Sequence, residues 1–111
     1  MMYLPDNMLE NSTLPEIELP ANITKLGKNC FKDSQLTLCK ILGPVKELPT
    51  NCFRGCEQLQ TLYLPETITS IEFGAFTDCN PQMRIFSKKT GRKIMVNKSD
   101  LDFLLSHFVE D

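Results

Sequence analysis

Residues 26–47 read LGKNCFKDSQLTLCKILGPVKE and are followed at once, over 48–70, by LPTNCFRGCEQLQTLYLPETITS, a second version of the same phrase. The phrase also opens at Leu4 as LPDNMLENS and at Ile71 as IEFGAFTDC, so the leading aliphatics Leu4, Leu26, Leu48 and Ile71 are spaced by 22, 22 and 23 residues. An internal period of this length marks a solenoid, in which each repeat is one coil that buries its apolar side only against its neighbours.

Every column of the repeat keeps its register. Leu9, Phe31, Phe53 and Phe76 form an aromatic column. Beside it runs a small or thiol column of Met8, Cys30, Cys52 and Ala75, and a second one of Ser12, Ser34, Cys56 and Cys79. Leu14, Ile17, Leu19 and Ile23 are answered by Leu36, Cys39, Ile41 and Val45, then by Leu59, Leu62, Leu64 and Ile68. Within a coil the pairs Ile17/Leu19, Cys39/Ile41 and Leu62/Leu64 point one way and their neighbours the other, the period-2 signal of a short strand. Pro20, Gly43-Pro44 and Pro65 then turn the chain, and a shorter apolar pair follows, such as Val45/Leu48. The phrase NCFKDS or GAFTDC reads as a single helical turn that drops an aromatic into the interior.

These columns resemble the BspA-type leucine-rich repeat, I-G-x-x-A-F-x-x-C-x-x-L-x-x-I-x-(L/I)-P-x-x-(L/V/I)-x-x-I, most closely in ITSIEFGAFTDC and LQTLYLPETITSI. The resemblance covers residues 4 to about 86. It implies a right-handed solenoid of about three full coils, mainly β with short helical turns, used in that family for protein binding and in many members for surface adhesion.

With 111 residues and 41% hydrophobic content the chain makes one domain. Residues 1–13 are a partial N-terminal repeat, 14–86 the repeats, and 87–111 a hairpin and capping helix. The opening MMYLPDNMLE lacks a basic region followed by an apolar stretch, and there is no run of eighteen apolar residues for a membrane span. These features point to a cytoplasmic protein, or to a surface or secreted one if the chain is a fragment of a longer adhesion protein.

Five cysteines are an odd number, and Cys30/Cys52 and Cys56/Cys79 share columns where stacking makes them buried rungs. Cys52 and Cys56 have ligand-like spacing, but the same columns hold Met8, Ala75, Ser12 and Ser34, which argues against a metal. Asn11, Asn22 and Asn97 begin N-x-(S/T) triplets and read as turn residues in a chain with free thiols. His107 has no nucleophile in a recognisable elbow, Glu16 and Glu18 have no opposing acid, and no glycine loop cradles phosphate. The expectation is a non-enzymatic chain with no cofactor.

Surface then carries the function. The alternation turns Glu16, Glu18, Leu38, Lys40, Thr61, Tyr63, Arg84 and Phe86 outward, together with Gln82, as one face running from acidic to basic. Exposed aromatics among charges suit a protein partner. Beyond Phe86 the repeat breaks: Arg84 to Phe86 and Ile94 to Val96 read as a hairpin around Thr90-Gly91. Ser99 reads as the N-cap of a helix with Asp100 and Asp102 in its first turn and Leu101, Leu104, Leu105 and Phe108 as its apolar stripe. That helix closes the last coil. Charge is uneven, with residues 1–79 at −4, 80–99 at +6 and 100–111 at −4. Lys88, Lys89, Arg92 and Lys93 make a basic patch, a minor alternative site for nucleic acid. The reading is therefore a small protein-binding solenoid, an inhibitor or adaptor, with end-to-end pairing through an uncapped first coil as a route to a homodimer.

Overall fold

The computed structural model describes residues 2–87 and 94–109. The chain winds into a mainly parallel β-solenoid of about four turns. Strands β2 (Glu16–Leu19), β4 (Leu38–Ile41), β6 (Thr61–Tyr63), β8 (Arg84–Phe86) and β10 (Phe108–Val109) form a five-stranded parallel sheet in the order β10-β8-β6-β4-β2. The second apolar pair of each coil supplies the opposite side. There β1 (Met2–Leu4) pairs with β3 (Ile23–Leu26), and β5 (Glu47–Leu48), β7 (Ser70–Ile71) and β9 (Met95–Val96) form a three-stranded sheet.

The fourth coil is more complete than the sequence suggested, because β8 and β9 are not a hairpin. They lie in different sheets, β8 beside β6 and β9 beside β7, as the repeat period requires. Thr90-Gly91 and the basic residues Lys88, Lys89, Arg92 and Lys93 lie outside the described residues.

The phrase expected to be a helical turn is instead a run of tight turns. In the second coil Lys32 N–H donates to Asn29 C=O at 3.2 Å and Ser34 N–H to Phe31 C=O at 3.1 Å. Helicity is blocked by two columns of left-handed residues. Asn7, Asn29, Asn51 and Gly74 form one, and Asn11, Asp33, Gly55 and Asp78 the other, all at positive φ. Among side-chain-bearing residues Asn and Asp tolerate this region best. Gly74 is further required by space, since a Cβ there would sit 2.2 Å from Asn51 Oδ1. The turns then hand hydrogen bonds to the next coil. Asn29, Phe31 and Asp33 N–H donate to the carbonyls of Thr50, Cys52 and Arg54, and Asn51, Phe53 and Gly55 to those of Phe73, Ala75 and Thr77.

The interior follows the columns. Phe31 stacks on Phe53 at 5.3 Å between centroids, Phe53 on Phe76 at 6.3 Å, and Phe76 on Phe103 of the C-terminal helix at 5.3 Å. All five cysteines are buried free thiols. Cys30 Sγ lies 3.7 Å from Cys52 Sγ, while Cys56 and Cys79 donate to the carbonyls of Phe31 and Phe53 at 3.0 and 3.1 Å. A small side chain with a weak donor fits a rung that meets the backbone of the coil before it.

The helix α1 (Lys98–His107) caps the last coil, by Leu104 as expected but otherwise by residues other than those expected. Asn97, rather than Ser99, is the N-cap, its Oδ1 accepting from Asp100 N–H at 3.0 Å. Asp100 is 3% exposed, and its carboxylate accepts from the N–H groups of Gly74 and Phe76 at 3.1 Å each. Those two amides would otherwise seek the carbonyls of a further coil. The helix therefore buries Asp100 and Leu104, with Phe103 partly buried beside them. Leu105 is exposed, and Phe108 has left the helix to begin β10. Among the described residues nothing covers the first coil in this way: Met8 is 59% and Leu14 46% exposed, whereas Cys30, Leu36, Cys52 and Leu59 in the same columns are buried.

Two predictions follow from this core. Asp100→Ala strands two buried donors and should lower the free energy of unfolding by about 2–4 kcal/mol in a urea titration, with Asp100→Asn in between. A loss below about 1 kcal/mol would show that the cap is dispensable. Desolvation by burial is the main force pushing the thiols of Cys39, Cys52, Cys56 and Cys79 up from their ordinary range. The folded chain thus keeps protons that the unfolded chain releases above about pH 8.5, so stability is intact below that pH and falls as pH rises. Between about pH 8 and 10, Cys39→Val should lose about 2 kcal/mol less than the parent chain; equal losses would refute the assignment.

Candidate protein-binding face

Alternation in a strand sends neighbouring side chains to opposite faces. Leu19, Cys39, Ile41, Leu62 and Ile85 point into the core and are buried. The outward set is fixed by pairing into two rows. One contains Glu16, Leu38, Thr61 and Arg84; the other contains Glu18, Lys40, Tyr63 and Phe86. The eight residues read from the sequence therefore do share one sheet face. Gln82 does not belong to it, because it lies in the turn before β8, its N–H donating to Asn80 Oδ1 at 2.9 Å. Strand β10 adds Val109 beside Phe86 at the far edge.

The second row is a ladder of rings and cations. Tyr63 and Phe86 stack with centroids 4.9 Å apart and planes 17° from parallel. Lys40 Nζ lies 5.1 Å from the Tyr63 centroid, and the Arg84 guanidinium carbon 5.6 Å from that of Phe86. A cation over a ring face gains from the ring quadrupole, about 0.5–1 kcal/mol at an exposed site. Tyr63 is 38% exposed, while Leu38 and Phe86 are half-buried by their neighbours. The result is a flat surface with an acidic edge on β2, an apolar and aromatic middle, and cations on β4 and β8.

Beside this ladder runs a groove of about 500 Å3, lined by Leu42, Pro44, Pro65 and Glu66 as well as Tyr63 and Phe86. Leu42 is 52% exposed. Within a single coil the prolines serve only as turn residues and Leu42 has no evident role. The signal was present, since an apolar residue and a proline follow the strand in both LGP and LPE, but only stacked coils bring those turns together.

Other chemistry-bearing residues are engaged in the fold. His107 stacks on Phe103 at 3.9 Å, with Nδ1 2.7 Å from Phe103 C=O and Nε2 2.8 Å from Pro81 C=O, which ties the helix to the turn before β8. On the other side of the molecule Glu47 shares a hydrogen bond with Glu72. Partial burial and then that contact raise the Glu47 carboxyl above its ordinary range, against the opposing pull of Lys25 and Lys28. Among the described residues no group of three or more His, Cys, Asp or Glu is placed to hold a metal. No helix of the described residues is long and apolar enough to cross a membrane.

The comparisons with known proteins agree with the coils. The family model for the BspA type leucine rich repeat region matches residues 1–96 in six copies. Among curated proteins, the chain is 39% identical over 67 residues to an African swine fever virus protein of the isolate Warthog/Namibia/Wart80/1980, whose name assigns it provisionally to a helicase/primase complex. The counterpart from the isolate Tick/South Africa/Pretoriuskop Pr4/1996 is 37% identical over 67 residues. In each case the match takes in 52% of this chain and 6% of the viral protein. No solved structure matches the chain. Protein binding is the general role of leucine-rich repeats. With the parallel coils, the stacked phenylalanine column and a family match along most of its length, the chain belongs to the BspA-type leucine-rich repeat family.

Proposed function

We propose that this chain is a non-enzymatic protein-binding module that works through the outward face of its five-stranded sheet. The observation that carries the reading is the Tyr63–Phe86 stack, set between Lys40 and Arg84 on a backbone held in register on both sides. Aromatic and arginine side chains dominate the energetics of protein interfaces, because a stiff ring contributes contact area at little entropic cost. Here the rings are ordered before any partner arrives. Action by such a face is steric and stoichiometric, as in an inhibitor or adaptor.

The likeness to a short segment of viral proteins named for a helicase/primase complex supports the same reading. The matched segment is a small part of each viral protein, as a repeat module carried within a larger chain would be. Five buried free thiols suit a reducing compartment such as the cytoplasm. Pairing of two chains through the uncovered first coil is opposed by charge, because residues 1–24 carry Asp6, Glu10, Glu16 and Glu18 and no Lys or Arg.

The test is affinity capture from the native host with the parent chain and with the double variant Leu38→Asp/Tyr63→Ala. The variant should lose its partner, with affinity reduced by about 2–4 kcal/mol, while its circular dichroism and melting remain close to those of the parent. Retained capture by a folded double variant would exclude this face.

A further inference from the structure

The charges on this face have a direction, and the direction describes the segment that fits it. Glu16 and Glu18 stand exposed on β2, the edge strand, with no side-chain partner among the described residues. Lys40 is next to Glu18 in register but is turned toward the Tyr63 ring. Arg84 lies against Phe86 and is in no ion pair among the described residues. Among the described residues, acid is thus unpaired at one edge and a guanidinium in contact with the Phe86 ring but in no ion pair lies three strands away, with Leu38 and Tyr63 between them.

Neighbouring strands lie about 4.8 Å apart, so the distance from β2 to β8 is roughly 14 Å. An extended segment advances about 3.3 Å per residue, and its side chains i, i+2 and i+4 point to the same side. Three such side chains therefore span roughly 13 Å, the width of the face.

Resting on the reading of this face as a protein-binding surface, we propose that its occupant is an extended segment of a partner protein that crosses the strands and carries a cation, an apolar residue and a carboxylate at alternate positions. The cation meets Glu16 and Glu18. The apolar side chain packs on Leu38 and Tyr63. The carboxylate takes the fork of Arg84, a geometry that guanidinium matches with two parallel hydrogen bonds. Because only the ends carry opposite charge, the segment runs in either chain direction, but both ends must be present. A uniformly basic segment meets Arg84, and a uniformly acidic one meets Glu16 and Glu18. Nucleic acid is disfavoured for the latter reason, since its phosphates would have to pass the acidic edge.

The probes are fluorescein-labelled peptides built around Lys-Ser-Leu-Ser-Glu, with three companions. In the first both charged residues are Lys, in the second both are Glu, and in the third the Lys and Glu are adjacent. Titrations by anisotropy, with amide chemical shifts to locate the contact, should show the alternating bipolar peptide binding about tenfold tighter than each companion, with shifts centred on Leu38, Tyr63 and Arg84. Arg84→Glu should reverse the order in favour of the peptide with two Lys. Equal affinities, an order unchanged in folded Arg84→Glu, or displacement of the peptide by single-stranded oligothymidylate would each overturn the proposal. These outcomes are separable from failure of the face itself. If Leu38→Asp/Tyr63→Ala abolishes host capture while the peptides show no preference, the face stands and the segment chemistry falls. If capture survives the double variant, the face falls as well.

Discussion

A coil of about 22 residues with strands of two to four cannot satisfy its own backbone, so it hands its amides onward. Phe31 gives its N–H to Cys52, Phe53 to Ala75, and each strand of the large sheet pairs with its equivalent one coil later. This transfer sets the separation of the coils, and the other features follow from that separation. Rings in one column stack because their backbones are held one strand spacing apart. Thiols in another column reach carbonyls of the preceding coil for the same reason. The two outward rows keep a fixed order of charge because no coil can slip without breaking several turns at once.

The same constraint makes part of the fold legible in the sequence. A side chain repeating in one column must face the same way each time, so the core and the outward face were both visible in the alternation of residues such as Cys39, Lys40 and Ile41. The tight turns were misjudged because Cys30, Phe31 and Ser34 have helix-like spacing. The Asn and Asp residues bracketing them carried the correct signal, since a left-handed residue ends a right-handed helix. The hairpin was inferred from a turn signal at Thr90-Gly91, although Arg84 follows Thr61, and Met95 follows Ser70, at close to the repeat distance. At the cap, Ser99 had the local credentials of an N-cap. The decision is made by the amides of Gly74 and Phe76, far away in sequence, which Asp100 reaches from a helix whose N-cap lies two residues before Ser99. The groove at Leu42, Pro44 and Pro65 belongs to the same class: turns from different coils make it, and no single coil contains it.

The division of labour is clear. The cysteines, the phenylalanine column and His107 are engaged in holding coils and cap together. The side chains that the sheet presents to solvent, among them Glu18, Lys40, Tyr63 and Arg84, touch one another or water and stand outside that framework. Specificity in such an array lies in which residues fill two rows at fixed spacing, and that is why substitution there is compatible with an unchanged fold.

The two ends of the solenoid differ, and this gives the molecule a polarity of opening. The last coil is closed by Asp100 and by Phe103 lying on Phe76, while in the first coil Met8 and Leu14 stand open to water among the described residues. In a quasi-one-dimensional array, local unfolding starts where nearest-neighbour contacts are fewest. Among the described residues, opening therefore starts in the coil that holds β1 and β2, the latter carrying Glu16 and Glu18, and proceeds toward the cap. A partner that grips this acidic edge orders the weakest coil as it binds, so the affinity of the face and the integrity of the first coil are thermodynamically linked.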